Sequence, residues 1–95
     1  MKVRYTRPAL RDLDQVRAYI ALDNPLASRA IGARIGEAIA SLSDFPERGR
    51  PGRVAGTREL VVTGTPYVVP YRIKSDEVTI LAIMHGARRW PRSGF

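Results

Sequence analysis

The constraint that most limits this fold is a short break, Asp23-Asn24-Pro25, set between two apolar stripes of helical period. Before it, Leu10, Leu13, Val16 and Ile20 recur at three- and four-residue spacing, with Tyr19 beside them. Such spacing places one apolar stripe on a helix, over 8–22. After it, Ile31, Ile35, Ile39 and Leu42 repeat the period, with Ala38 on the same side. Asn24 suits the N-cap of this second helix and Pro25 its first turn, as Thr6 and Pro8 do for the first. A connection this short leaves the two helices only one arrangement, an antiparallel hairpin. Ala27, Ala30, Gly32, Ala33, Gly36 and Ala40 allow close approach of the helices, and Phe45-Pro46 ends the second.

The hairpin needs an apolar partner, and the rest of the chain reads as strands. Val3 and Tyr5 alternate with Lys2, Arg4 and Thr6, a short strand with one buried face. Residues 46–56 hold two Pro, three Gly and three Arg, and read as a basic loop. Strands follow over 58–62, 67–73 and 78–84, joined by turns at 63–66 and 74–77, and should pair antiparallel. Pro70 removes a ladder donor from the second of these, which points to an edge or a bulge. The expectation is an α+β domain spanning 1–95, with order β-α-α-β-β-β. A helical hairpin packs on one face of a small, mainly antiparallel twisted sheet.

Sixteen Lys and Arg stand against nine Asp and Glu, a formal charge of +7, which favours an anionic partner. With no cysteine there is no disulfide framework, thiolate metal site or cysteine nucleophile. One histidine and no paired-ligand spacing leave no metal site of the usual kind, and no glycine-rich phosphate motif points to a nucleotide cofactor. No apolar run reads as a signal peptide or approaches the length of a bilayer span, so a cytoplasmic protein without a membrane partner is expected.

Two segments hold candidate functional residues. The first is Met84-His85-Gly86-Ala87-Arg88-Arg89-Trp90-Pro91-Arg92. Imidazole can act as a general base near neutral pH, and guanidinium can clamp a phosphate, so His85 and Arg88 at a strand end could handle an anion. Trp90, flanked by Arg89 and Arg92, could stack a base or pack a partner. The competing reading is a hydrogen-bonded His, a Trp that caps a small core, and solvated arginines. The second segment is the loop bearing Arg48, Arg50 and Arg53, which could engage phosphates or an acidic protein, or could be a solvated loop. Arg58 and Arg72 lie near Glu59 and Asp76 in sequence and suggest structural ion pairs. Tyr67 and Tyr71 share one strand face and suggest packing.

In their order and spacing these pieces resemble the RelE/ParE toxin superfamily. The carriers are Pro8-Ala9-Leu10-Arg11-Asp12-Leu13, Asn24-Pro25 with Ala27, Phe45-Pro46 before the Gly/Arg loop, Arg58-Glu59-Leu60, Tyr67 to Ile73, and Ile83-Met84-His85-Gly86-Ala87-Arg88. The resemblance implies toxicity when the chain is free and an acidic antitoxin that wraps it. The ribosome-dependent RNases of the superfamily rely on basic residues on the central strands. Aligned on the Gly86 turn and the Tyr67 strand, this chain matches one such arginine with Arg88. It offers Val68, Glu59 and Val61 at other basic positions, and Gly94 near a catalytic tyrosine. The ending and the Tyr67 strand look closer to the ParE branch, which poisons DNA gyrase by binding. That branch would make Arg48, Arg50, Arg53, Arg72, Arg89, Trp90 and Arg92 contact residues. The alternatives are a ribosome-dependent mRNA endonuclease with His85 and Arg88 as catalytic residues, and a non-toxic binding module.

Overall fold

The computed structural model describes residues 1–87 and Trp90. The two helices form where their caps place them. Helix α1 spans Arg7–Ala21, and the Thr6 side chain accepts the Ala9 N–H at 3.3 Å. Helix α2 spans Pro25–Ala40, and Asn24 Oδ1 accepts the Ala27 N–H at 3.0 Å. Each oxygen satisfies an N–H that the first turn leaves without a helical acceptor. A 3₁₀ turn, Ser41–Ser43, then places Leu42 in the core, so α2 stops short of Phe45-Pro46.

On α1 the buried stripe differs from the expected one. Ala9 and Asp12 are buried and Leu13, Val16 and Ile20 pack on the core, whereas Leu10 and Tyr19 are 49% and 73% exposed. The helix is thus rotated by about one residue's arc, because Asp12 has a buried backbone group to meet, described below. On α2 the expected face is kept, with Ile35, Ile39 and Leu42 fully enclosed. Gly32 lies under the Arg17 side chain, and a Cβ there would come 2.6 Å from Arg17 Nε. The Ser28 hydroxyl ties the two helices by donating to the Arg17 carbonyl at 2.7 Å.

The sheet is mixed. Strands β1 (Lys2–Tyr5), β2 (Arg50–Pro51), β3 (Arg58–Val61), β4 (Tyr67–Lys74) and β5 (Glu77–Ile80) lie in the order β1-β5-β4-β3-β2, and β6 (Met84–His85) also pairs with β4. Only β1 pairs in parallel, on β5; the helical hairpin is the crossover that carries the chain away from β1. Two expectations need correction. The basic segment 46–56 is not all loop, since Arg50 and Pro51 pair with Glu59 and Arg58. The strand expected over 78–84 is two pieces, β5 and β6, parted at 81–83.

Pro70 accounts for that parting. It sits in central strand β4, not at an edge, opposite Glu59 of β3. Its carbonyl accepts the Leu81 N–H at 2.9 Å on the other side. Proline has no N–H to return, so the ladder fails there. The backbone groups released at 81–83 find partners in the helical layer. Ile83 N–H donates to the buried Asp12 Oδ2 at 3.0 Å, and the Thr6 hydroxyl lies 3.4 Å from the Leu81 carbonyl.

Side chains alternate across the sheet. Val3, Tyr5, Leu60, Val62, Tyr67, Val69, Tyr71, Ile73, Val78 and Ile80 meet the helices in the main core. On the opposite face Val68, Ala82, Met84 and Trp90 form a second, smaller cluster.

Candidate functional site

His85 opens onto a cleft of about 430 Å³ between α1 and the β4–β6 pair, lined by Asp12, Gln15, Val16, Tyr19, Tyr67, Ile83, Met84 and His85. Its ring meets the Tyr67 ring edge to face, with centroids 6.1 Å apart. Its Nδ1 accepts the Ala87 N–H at 3.1 Å. A neutral imidazole whose Nδ1 accepts carries its proton on Nε2. In this arrangement Nδ1 is engaged by the turn that follows β6.

The second group is built around Glu59. This carboxylate is 2% exposed and stands on the sheet face away from the helices. Oε2 accepts the Arg53 N–H at 2.9 Å, and Oε1 lies 3.3 Å from Arg53 Nε and 3.5 Å from Arg50 Nη2. Arg53 Nη2 continues to the Gly86 carbonyl at 2.9 Å. Two of the three loop arginines therefore pin their own segment to the sheet, and Arg53 joins it to the turn after β6. Arg48 Nη1 donates to Ser41 Oγ at 2.9 Å, reaching the end of the helical layer. A solvated loop does not describe this segment. Arg58 does not pair with Glu59 as expected from sequence; its Nη1 donates to the carbonyls of Glu47 and Gly49, at 3.1 and 2.8 Å.

Tyr71 holds the same segment from beneath. Its hydroxyl accepts the Gly49 N–H at 2.8 Å and donates to the Pro46 carbonyl at 2.7 Å. Burial pushes this phenol above its ordinary pKa, so it stays protonated and able to donate. Gly49 is required, because a Cβ would come 2.6 Å from the Tyr71 ring.

Trp90 does not present a stacking face. It is 7% exposed and packs with Val68, Ala82 and Met84, with Val54 and Leu81 alongside. Apolar area decides this: an indole laid on the open side of a small sheet removes more of it from water than any other side chain could. Arg88, Arg89 and Arg92 lie outside the described residues. Arg72, on β4 opposite Thr79, falls on the same outer face as Glu59 but two strands from the loop arginines. The sequence reading missed the two buried carboxylates, Asp12 and Glu59. Glu59 left a faint signal, a lone acid between Arg58 and the apolar run from Leu60 to Val62.

Charge divides the chain by segment. The helical segment 7–45 carries five arginines and five carboxylates, so it is formally neutral. The strands, their loops and the tail carry eleven Lys and Arg against four carboxylates, the whole of the +7.

The family model described as the ParE toxin of the type II toxin–antitoxin system parDE matches residues 3–90. The chain belongs to the ParE toxin family. Among its relatives, the toxin resembles Y4kP of Sinorhizobium fredii, 48% identical over 91 residues, covering 96% of this chain and 94% of the relative. It also resembles Toxin RelE2 of Caulobacter vibrioides, 42% identical over 87 residues, covering 92% and 97%. Among solved structures, the toxin matches the chromosomal ParDE system of P. aeruginosa with TM-score 0.79 and 32% identity, covering 90% of this chain and 95% of that one. It matches the RelBE2 toxin–antitoxin complex of Mycobacterium tuberculosis with TM-score 0.62 and 30% identity, covering 88% and 95%. The toxin is thus a type II toxin of the RelE/ParE superfamily.

Proposed function

We propose that this toxin inhibits DNA gyrase by binding it, without chemistry of its own, and that an acidic antitoxin neutralises it. The observation that carries the first part is Glu59. By resemblance, the RNases of the superfamily place cations on the central strands to hold the scissile phosphate. Here that face holds a buried carboxylate with two arginines spent on it, and beside it Val61, Val68 and the Trp90 cluster. A buried anion repels a phosphate, and the cations that would offset it are already engaged. The clasped loop with Arg48, Arg50 and Arg53 then acts as a rigid contact surface, with little ordering entropy to lose on binding.

The antitoxin reading rests on the helical layer and on the resemblance. Leu22 and Leu26, 83% and 76% exposed, sit at the hairpin tip, and Tyr19 continues from them to the mouth of the His85 cleft. This apolar strip suits the apolar side of an amphipathic partner segment, whose acidic side can reach the basic sheet layer. Replacing both leucines with serine should weaken neutralisation by roughly tenfold or more, given the transfer cost of two buried Leu side chains. Growth arrest by the free toxin should be unchanged, because neither side chain belongs to the core.

The deciding experiment puts purified toxin into a gyrase supercoiling assay and, in parallel, into a translating extract with a reporter mRNA. The expected result is lost supercoiling with intact mRNA, and an effect of His85→Ala under about fivefold, as for interface positions outside a hot spot. Cleaved mRNA together with a loss of about a hundredfold or more in His85→Ala, the scale of general acid–base catalysis, would replace this reading with the endonuclease one.

A further inference from the structure

The outer face of the sheet at its β1 end lies apart from the loop clasp and shares with the residues above only Arg72. Its residues fall in two rows across three strands. Register places Lys74 of β4, Glu77 of β5 and Lys2 of β1 in one row, and Arg72, Thr79 and Arg4 in the next. The neighbours of these residues along each strand, Val3, Tyr5, Ile73, Val78 and Ile80, pack on the helical side, so both rows face away from the core. The four corners of this grid are cations, about 10 Å apart across the strands and about 7 Å apart along them. The middle column holds the Thr79 hydroxyl and Glu77, whose Oε1 takes Arg4 Nε at 2.9 Å and the Thr79 hydroxyl at 3.3 Å. Asp76, in the β4–β5 turn, is the other carboxylate beside it.

We infer that this face seats the phosphate backbone of duplex DNA. Two observations select that ligand. The first is the charge partition: the helical layer is neutral, while the described strands and their loops carry eight Lys and Arg against four carboxylates, so this side attracts a polyanion and gives it an orientation. The second is the lack of an anchor. None of the six grid residues is apolar; of the large exposed apolar side chains, Leu10, Tyr19, Leu22 and Leu26 are on the helices, Phe45 follows them, Met1 is tied to Ser43, and Val61 is on β3, beyond β4 from the grid. Protein interfaces draw their affinity from a desolvated aromatic or aliphatic centre. A flat array of cations and a hydroxyl suits sequence-independent contact to phosphates. The choice of duplex DNA as the polyanion rests on the gyrase reading, since a gyrase-bound toxin lies beside gyrase's own substrate. A toxin seated on both would grip the enzyme through its loop and the nucleic acid through this face.

The test measures the toxin's binding to a short fluorescent DNA duplex by anisotropy, without gyrase, across a salt series. Four phosphate contacts predict a slope of log K against log salt of about −3.6, or roughly a hundredfold weaker binding from about 50 to about 200 mM salt. Lys2→Gln with Lys74→Gln should flatten the slope by about 2. Glu77→Gln should tighten binding by roughly twofold to fivefold, the scale of one exposed charge. Arg11→Gln with Arg29→Gln removes the same formal charge from the helical layer and should leave the slope unchanged. Thermal melting of each variant checks that the fold is intact; Lys2 and Lys74 are exposed, so their loss opens no cavity. The inference fails if the helical pair flattens the slope as much as the sheet pair. It fails equally if polyglutamate of matched charge displaces the duplex as well as unlabelled DNA does, which would make this a face for an acidic protein. Because gyrase is absent, failure here leaves the gyrase reading standing, and failure of gyrase inhibition leaves the measured DNA contact standing.

Discussion

The helical layer and the sheet layer of this toxin are held together by different kinds of polar contact. Within the helices the contacts are local: Thr6 caps Ala9 and Asn24 caps Ala27, each three residues ahead, and the distant bonds of Asp12 and Thr6 run to the sheet. In the sheet layer the contacts are distant. Tyr71 reaches Gly49 and Pro46, 22 and 25 residues away, and Arg53 reaches Gly86, 33 residues away. The helical layer is formally neutral, while the described strands and their loops carry eight Lys and Arg against four carboxylates. A layer built on local contacts can form its elements early and tolerate the loss of any one cap. A layer that gathers like charges needs a buried counter-charge and long-range clasps to hold its loops in place. Glu59 and Tyr71 fill those two roles.

The sharpest way to break this comparison is to remove the counter-charge. Glu59→Ala strips the acceptor from the Arg53 N–H and leaves two arginines without their carboxylate. Losing one partner of a buried pair costs about 3–5 kcal/mol; here both arginines can turn to water, so about 3 kcal/mol is expected. Denaturant melts of the purified variant measure it. A cost under about 1 kcal/mol, the size of an exposed pair, would mean that the clasp does not organise the layer. Next in size is Tyr71→Phe. It keeps the ring in the core and orphans the Gly49 N–H and the Pro46 carbonyl, at a cost of about 2 kcal/mol. Amide exchange should show the segment around Gly49 opening faster while α2 keeps its protection. If both regions loosen together, the two layers are one cooperative unit and the contrast between them is wrong.

The same contrast explains what could be read from the sequence. Caps, the hairpin and the longer strands are written in periods of two or four residues and in the residues beside their ends, and were legible; β2, two residues inside the basic segment, was not. Pro70 was legible as an interruption, but not as the reason the following strand divides, because the groups it releases are taken up by Thr6 and Asp12, distant in sequence. That long-range demand also rotated α1, burying Ala9 and Asp12 where the stripe alone favoured Leu10. At the candidate site, residue type singled out the segments but not the contacts their side chains make. Arg50 and Arg53 looked like free cations until β2 placed Arg50 opposite Glu59. Trp90 looked like a contact residue until the sheet's open face gave it a place to pack.

A smaller effect belongs to the helical layer. Asn24→Ala removes one N-cap at an exposed turn and should cost about 1 kcal/mol, with Pro25 still setting the first turn. The variant should remain toxic and its melting transition should stay single. A loss as large as that of Tyr71→Phe would show that the hairpin tip depends on its cap more than local contacts warrant.

The smallest effect is one of pH, and its sign tests whether the basic face acts electrostatically in the folded toxin. Hydrogen bonding from the Arg4 side chain, aided by the charges of Arg4 and Lys2 and by the Thr79 hydroxyl, holds the Glu77 carboxyl below its ordinary pKa. A carboxyl whose folded pKa is depressed stabilises the fold fully above its unfolded pKa, and the contribution is lost as pH falls through the folded value. Glu77 keeps 31% of its side chain exposed, so water and salt screen the pair and the contribution is small. At low salt, acidification from about pH 6 to about pH 3 should therefore lower the melting temperature of the wild type slightly more than that of Glu77→Gln, whose side chain does not titrate over the range of a carboxyl group. Raising the salt should merge the two curves. If the variant falls more steeply than the wild type, Glu77 is not stabilised by the cations around it, and the grid of Lys2, Arg4, Arg72 and Lys74 does not act as one positive surface.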